Sequence, residues 1–367
     1  MMALTQVPSL NLTNLHLLIE ELGSATAIYE NRHSLRELLP SASQKTLDAL
    51  AAMERHLDWA KQEWTFCQKG NIQCLGFHDD NYPQRLKECA DAPVLLYYRG
   101  TANLNARHII SMVGTRQITS YGKDLCRTFV RDLKQLCPDA LIVSGLAYGV
   151  DIHCHRSALE EGIDTVGVLA HGMSQIYPRL HRDTAKQMLD QGGLLTEYMS
   201  NTSIDRHRFV QRNRIVAGLS DAVIVVESAE KGGSLITADI ALSYDRQVWA
   251  FPGRTTDPYS AGCIKLISSN KASLLPDAES FCQAMGWTDE MQQRQKLSNG
   301  IQQELLADYT DEERRILAIL AKTDSKQINI LSVETDIPIG QLSSILFSLE
   351  MKGAVQMLVG GKYKIAR

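Results

Sequence analysis

The sequence predicts an α/β protein built on a doubly wound, mostly parallel sheet, with a small helical domain ahead of it and a winged-helix domain behind it. Three observations carry that prediction. Six short apolar runs between residues 108 and 251 are separated by helix-length segments, and continuous apolar strands mark a sheet covered on both faces. Ahead of them, leucines recur at helical spacing. Behind them, three helical patterns precede two alternating segments joined by a Gly-Gly turn, the order of a winged helix.

Leu15, Leu18, Ile19 and Leu22 form one apolar stripe that stops at Gly23, a good helix terminator. Leu35, Leu38 and Leu39 close a second helix before Pro40, and Leu47, Leu50, Met53 and Leu57 form a third. Residues 1–69 are therefore expected to be an N-terminal helical domain. From 70 to 286, strands at 108–113, 140–143, 165–169, 193–196, 222–226 and 247–251 alternate with helices. A polar, Gln-rich stretch within 287–306 reads as a linker, and 307–367 as the winged-helix domain. There Thr310 and Glu313 form a capping box ahead of Ile316, Leu317, Ile319 and Leu320. A second helix covers 328–334, and Pro338 opens a third with Leu342, Ile345, Leu346 and Leu349 on one face. Val355, Met357 and Val359, then Tyr363 and Ile365, alternate as a hairpin. Residues 339–350 hold no Lys or Arg, so that helix brings no cation to a phosphate, and a protein contact or a purely structural role competes with duplex binding.

At 367 residues the chain has room for two or three domains. A net charge of -4 excludes a protein coated in basic residues, so any nucleic-acid contact must be a local patch. The eight cysteines are scattered with no C-x-x-C, which fits neither a zinc ribbon nor a disulfide framework. His153, Cys154 and His155 are adjacent and point apart on a helix, so no metal is expected there. No apolar run reaches membrane-spanning length and no signal pattern opens the chain; a cytoplasmic protein without a membrane partner is expected.

One stretch runs against the global charge. Residues 206–214 pack Arg206, Arg208, Arg212, Arg214 and His207 around Phe209. Guanidinium groups fork onto phosphate oxygens, and an interleaved ring offers a face to a base. The competing reading is a solvated surface with its arginines paired to local carboxylates. In open α/β sheets ligands sit at the carboxyl ends of the strands, and four such ends stand out. The first is Gly114-Thr115-Arg116, with a glycine, a hydroxyl and backbone amides for a phosphate. The second, Ser144 through Asp151, is glycine-rich, with Gly149 and Asp151 read as a tight turn into a helix. The third is the arginine cluster. In the fourth, Lys231-Gly232-Gly233-Ser234, Ser234 is placed to cap a helix and meet a phosphate. Neither a G-x-G-x-x-G nor a Walker spacing is present. Glu197 and Asp257 form no acid/base pair, and His171 and His181 read as satisfied core or surface histidines. Accordingly no catalytic residue, metal or cofactor is expected.

Together these strings resemble the DprA/Smf family of bacterial DNA-processing proteins. The resemblance covers 82 to about 281. It rests on Tyr82-Pro83, Ala92-Pro93-Val94-Leu95, Val113-Gly114-Thr115-Arg116, Ser144 through Asp151, Ile176-Tyr177-Pro178, Thr196-Glu197-Tyr198, Phe209 with Arg212-Asn213-Arg214, Gly233-Ser234-Leu235-Ile236-Thr237 and Phe251-Pro252-Gly253. It implies an extended Rossmann-like domain that binds and protects single-stranded DNA, forms a homodimer and helps load the RecA recombinase during natural transformation and homologous recombination. It also implies a sterile-alpha-motif-like helical domain and a winged-helix domain. Carried over by motif, the DNA pocket uses Gly114, Thr115, Arg116, Phe209, Arg212, Asn213, Arg214, Lys231 and Ser234, and Arg208 and Gly233 join them from the same segments. Three positions depart from the family pattern. Gly232 stands in a Lys-Ser-Gly-Ser string, Tyr148 in an Ala-Arg-Gly turn, where it removes a charge, and Ile264 where an Asn follows Gly262-Cys263. The rival reading is a Rossmann-like nucleoside-monophosphate hydrolase, by fold analogy; the segment after Ser234 carries no Glu through Tyr244, which counts against it. A purely structural dimer leaves the arginines unexplained.

Overall fold

Side-chain caps and apolar stripes set the helices of the first 69 residues. The computed structural model describes residues 1–287, 309–321, 325–352, 354–358 and 361–365; the linker at 287–306 lies, but for Trp287, outside them. Asn11 caps α1 (Leu12–Leu22), which ends on left-handed Gly23 as the sequence expects. Ser24 then starts a short α2 (Ala25–Glu30). The leucines at 35–39 lie on turns rather than a helix, with Leu35 and Leu39 buried. The Ser24 cap opens the helix at Ala25, N-terminal of the expected leucine stripe. Ser43 caps α3 (Gln44–Ala51), and α4 (Leu57–Lys69) follows.

These helices are packed onto the sheet domain rather than held apart from it. Met1–Trp287 forms one compact unit and Thr288–Arg367 a second. Leu18, Ile19, Ile28 and Leu50 share a core with Val94, Leu95, Tyr97 and Met199. The boundary expected at residue 69 is thus crossed by continuous packing. A polar tie reinforces it: the buried Glu63 carboxylate on α4 accepts the Ser200 amide at 2.8 Å and the Ser200 hydroxyl at 2.6 Å.

The sheet has nine strands: β1 (Gln73–Gly76), β2 (Leu95–Gly100), β3 (Ile109–Val113), β4 (Leu141–Ser144), β5 (Asp164–Val168), β6 (Gly192–Thr196), β7 (Ala222–Val225), β8 (Gln247–Ala250) and β9 (Ser273–Leu274). Their order is β1-β2-β6-β5-β4-β3-β7-β8-β9. All from β6 through β9 in that order pair in parallel, while β1 and β2 pair antiparallel at one edge. The helices between strands are α5 (Gln84–Lys87), α6 (Ser120–Leu136), α7 (Val150–Glu161), α8 (Arg182–Met188), α9 (Arg206–Gly218), α10 (Gly233–Ser243) and α11 (Ala261–Ser268), and α12 (Ala278–Ala284) follows β9. From β3 the chain winds outward through β4, β5 and β6, then returns to lay β7 on the other flank of β3. Strand order therefore reverses between β3 and β7, and every parallel strand opens its carboxyl end onto the same rim.

In the second unit, α13 (Asp311–Leu320) begins with the expected Thr310–Glu313 capping box. It packs with α14 (Ile328–Thr335) and α15 (Ile339–Met351) around Ile316, Leu320, Leu331, Leu342, Leu346 and Leu349. The hairpin β11 (Val355–Leu358) and β12 (Lys362–Ile365) gains a third strand, β10 (Lys326–Gln327). Buried Glu313 accepts Lys352 Nζ at 2.9 Å and the Ser348 hydroxyl at 3.1 Å.

The Glu63 tie is testable. Glu63→Ala strands the Ser200 amide in a closed interior, at about 1–3 kcal/mol. Urea denaturation should show that loss in the midpoint with an unchanged slope; an unshifted midpoint contradicts the role given to this carboxylate.

Candidate nucleic-acid interface

Helices α6, α7 and α10 all start at the rim, where their free amides favour anions. Two of the three starts are already neutralised from within. Glu227, buried just after β7, accepts the Thr119 amide at 2.9 Å and the Thr119 hydroxyl at 2.5 Å at the start of α6. Asp151, in the first turn of α7, accepts the Ala147 amide at 3.2 Å. At the point where strand order reverses, the place a mononucleotide phosphate takes in related sheets therefore holds the protein's own carboxylate. The first glycine loop is drawn inward too. The Thr115 amide donates to Glu227 O at 2.7 Å, the Thr115 hydroxyl accepts the Gln117 amide at 3.1 Å, and a Cβ at Gly114 would overlap Val150. The Gly114 and Thr115 backbone thus closes the protein on itself, and only Arg116 stands exposed.

The third start remains open. A Cβ at Gly233 meets nothing within 4 Å, no acid lies in the first turn of α10, and Lys231 is exposed beside it. Ser234 is buried and donates to Ser228 Oγ at 2.8 Å, and the N-cap position belongs to Gly232 without a side-chain bond. The hydroxyl expected to cap α10 works inside the fold.

Helix α9 sorts its cluster by face. Arg212 is 4% exposed: it lies against Gly145, where a Cβ would overlap its guanidinium, and its Nη1 donates to Val168 O at 2.7 Å. Burial lowers its pKa, opposed by Asp151, and burial raises that of Asp151, opposed first by Arg212. Arg214, two residues on and so on the opposite side of the helix from Arg212, is paired internally, with Nη2 2.5 Å from Glu197 and Nε 3.9 Å from Asp91. Burial raises the Glu197 pKa, which Arg214 counteracts. Pairing with local carboxylates thus describes Arg214. Arg208 donates to Ser203 O and sits 5.6 Å from the Tyr198 ring, and Asn213 is half-buried.

Phe209 and Arg116 meet at the rim. The Arg116 guanidinium lies 5.4 Å from the Phe209 ring centroid, and Tyr177 packs edge-on to the same ring at 5.8 Å. Arg116 has no carboxylate partner among the described residues. Arg206 and His207 stand exposed in the first turn of α9, which holds no acid. Cations at a helix start oppose the helix dipole, so only the Asp205 cap, accepting the His207 amide at 2.7 Å, offsets them from within. Tyr177 and Tyr148, 40% and 41% exposed, join the rim without having been among the candidates legible in the sequence. The Tyr177-Pro178 string is visible there, yet nothing in it says that its ring reaches Phe209.

Comparison with known proteins agrees with this architecture. The family described as DNA recombination-mediator protein A matches residues 73–286, and the DprA winged helix domain matches 302–361. The chain belongs to this family. It is 39% identical over 205 residues to the DNA processing protein DprA of Bacillus subtilis, covering 55% of this chain and 68% of that one. It is 31% identical over 328 residues to Protein Smf of Synechocystis, covering 81% of each. Among solved structures, DNA processing protein A of Streptococcus pneumoniae superposes with a TM-score of 0.66 at 28% identity, over 76% of this chain and 94% of that one. The Helicobacter pylori protein, described with its single-stranded DNA binding mode, gives 0.53 at 28% identity, over 58% and 95%. The sheet is accordingly Rossmann-like and mostly parallel, and the second unit is a winged helix.

Beneath the rim, His155 offers a pH test. Thr165 Oγ1 donates to Ile142 O at 3.0 Å, so His155 Nδ1, 2.6 Å away, must carry the proton and donate to it. Nε2 is then a bare, buried lone pair. Burial first, then Arg212, lowers the His155 pKa from 6.5 to about 3. The unfolded chain therefore takes up this proton first. Stability is intact above pH 6.5 and falls as pH drops from there toward 3, by up to about 1.4 kcal/mol per pH unit. Urea midpoints across that window should fall less steeply in His155→Gln than in the wild type; parallel curves contradict this assignment.

Proposed function

We propose that the chain binds single-stranded DNA along the rim and catalyses no reaction there. The observation that carries this reading is the Arg116 guanidinium held over the Phe209 ring of α9, a helix whose first turn holds two exposed cations and no acid beyond its Asp205 cap. Arg116, Lys231, the first turn of α9 and the open start of α10 hold phosphates, and a base stacks at Phe209 and Tyr177. Arg212, Gly114 and Ser234 shape the rim from within, and Arg214 anchors the far side of α9. A Helicobacter pylori relative described by its single-stranded DNA binding mode supports this substrate class. In keeping with the family, the bound strand is protected and passed to the RecA recombinase in transformation and recombination, with the protein acting as a cytoplasmic homodimer. Among the described residues, no helix is long and apolar enough to cross a membrane. The hydrolase alternative finds little support, since Glu227 and Thr119 fill the phosphate position between β3 and β7.

Two substitutions separate charge from stacking. For dT oligomers titrated across a salt series, Arg116→Ala should weaken binding and flatten the log–log salt slope by about 0.7. Phe209→Ala should cost about 1–3 kcal/mol with the slope unchanged. Wild-type affinity in both variants refutes the interface.

A further inference from the structure

Resting on the reading above and deepening it, we propose that Tyr148 is a second stacking surface that takes an unpaired base next to the one held at Phe209. Tyr148 lies in the turn between β4 and α7, where its residue type by itself signals only a lost charge. The residue is 41% exposed, and its ring stands edge-on to His181, with centroids 5.1 Å apart and planes at 72°. No hydrogen bond engages its hydroxyl among the described residues.

The turn beneath the ring is fixed. Leu146 and Gly149 both take positive φ, 58° and 78°. The Ala147 amide bonds Asp151, and Leu146 O lies 2.8 Å from His181 Nδ1. A Cβ at Gly149 would overlap the backbone of Thr115 and Arg116, so the turn is seated directly on the Arg116 segment. An aromatic ring held outward on so constrained a backbone has an exposed π-face without the usual cost of ordering it. Moreover, one loop supports both aromatic pairs: the segment after β5 brings Tyr177 to Phe209 and His181 to Tyr148. The two ring surfaces are therefore held by one segment on the same rim.

Stacking on Tyr148 adds affinity without charge, and this sets its signature apart from that of a cation. In titrations of dT oligomers, Tyr148→Ala should bind about 5- to 150-fold more weakly than wild type at an unchanged salt slope. Tyr148→Phe should bind as wild type, and Tyr148→Arg should steepen the slope by about 0.7. On an abasic oligomer with the same phosphates, the gap between wild type and Tyr148→Ala should close. Equal affinity of Tyr148→Ala and wild type for dT overturns the proposal, as does a gap that persists on the abasic strand. In either case undiminished sensitivity to Arg116→Ala would leave the broader interface standing; absence of dT binding by the wild type would sink both. A thermal melt verifies that each variant is folded.

Discussion

The rim depends on one buried cation. Arg212 leaves α9, passes under the carboxyl ends of β5 and β4, and is held against Gly145 and Val168 O. Only a glycine at 145 leaves room for the guanidinium. Because side chains one turn apart share a helix face, pinning residue 212 fixes the register of α9 and brings Phe209 to the rim while Arg214 turns to Glu197. The same guanidinium acts electrostatically on both Asp151 and His155, favouring the charged carboxylate and the neutral imidazole. An ionised side chain this deep requires compensation, and the Val168 carbonyl and the nearby Asp151 carboxylate supply it.

A chain of net negative charge can present a positive edge because its acids are spent selectively. Glu227 and Asp151 occupy the starts of α6 and α7, whereas the first turn of α10 holds no acid and α9 sets only its Asp205 cap against two exposed cations. Screening confines the reach of exposed charges to about 8 Å at physiological salt, so the local placement matters more than the total. The winged helix departs from this pattern: α15 exposes Ile339, Phe347 and Met351 and carries no Lys or Arg through Glu350.

The parallel strands are legible in the sequence because each is a continuous apolar run, and helix ends are legible where a cap or glycine is local, as at Gly23 and Thr310. The parallel edge strand β9 and the antiparallel β1 are not, because two or four residues at an edge carry no period long enough to read, and β2 is not, because its apolar run stands outside the alternation of strand and helix. The site is legible as a set of strand ends but not as a division of labour. Periodicity does not say that Arg212 goes inward, that Ser234 bonds Ser228, or that the Thr115 amide closes onto Glu227. Each of those outcomes depends on a partner brought near by tertiary packing. Tyr148 escapes the sequence for a related reason: its residue type alone records a missing charge, whereas its use depends on a turn that holds the ring outward.

Photocrosslinking of a bromodeoxyuridine-substituted oligomer, followed by mass mapping of the adducts, tests the location of the nucleic-acid path most directly. Adducts concentrated on peptides containing Arg116, Tyr148, Tyr177 and Phe209 are the expected result. Adducts confined to the winged helix, or to the face of α9 that carries Arg214, would contradict the account.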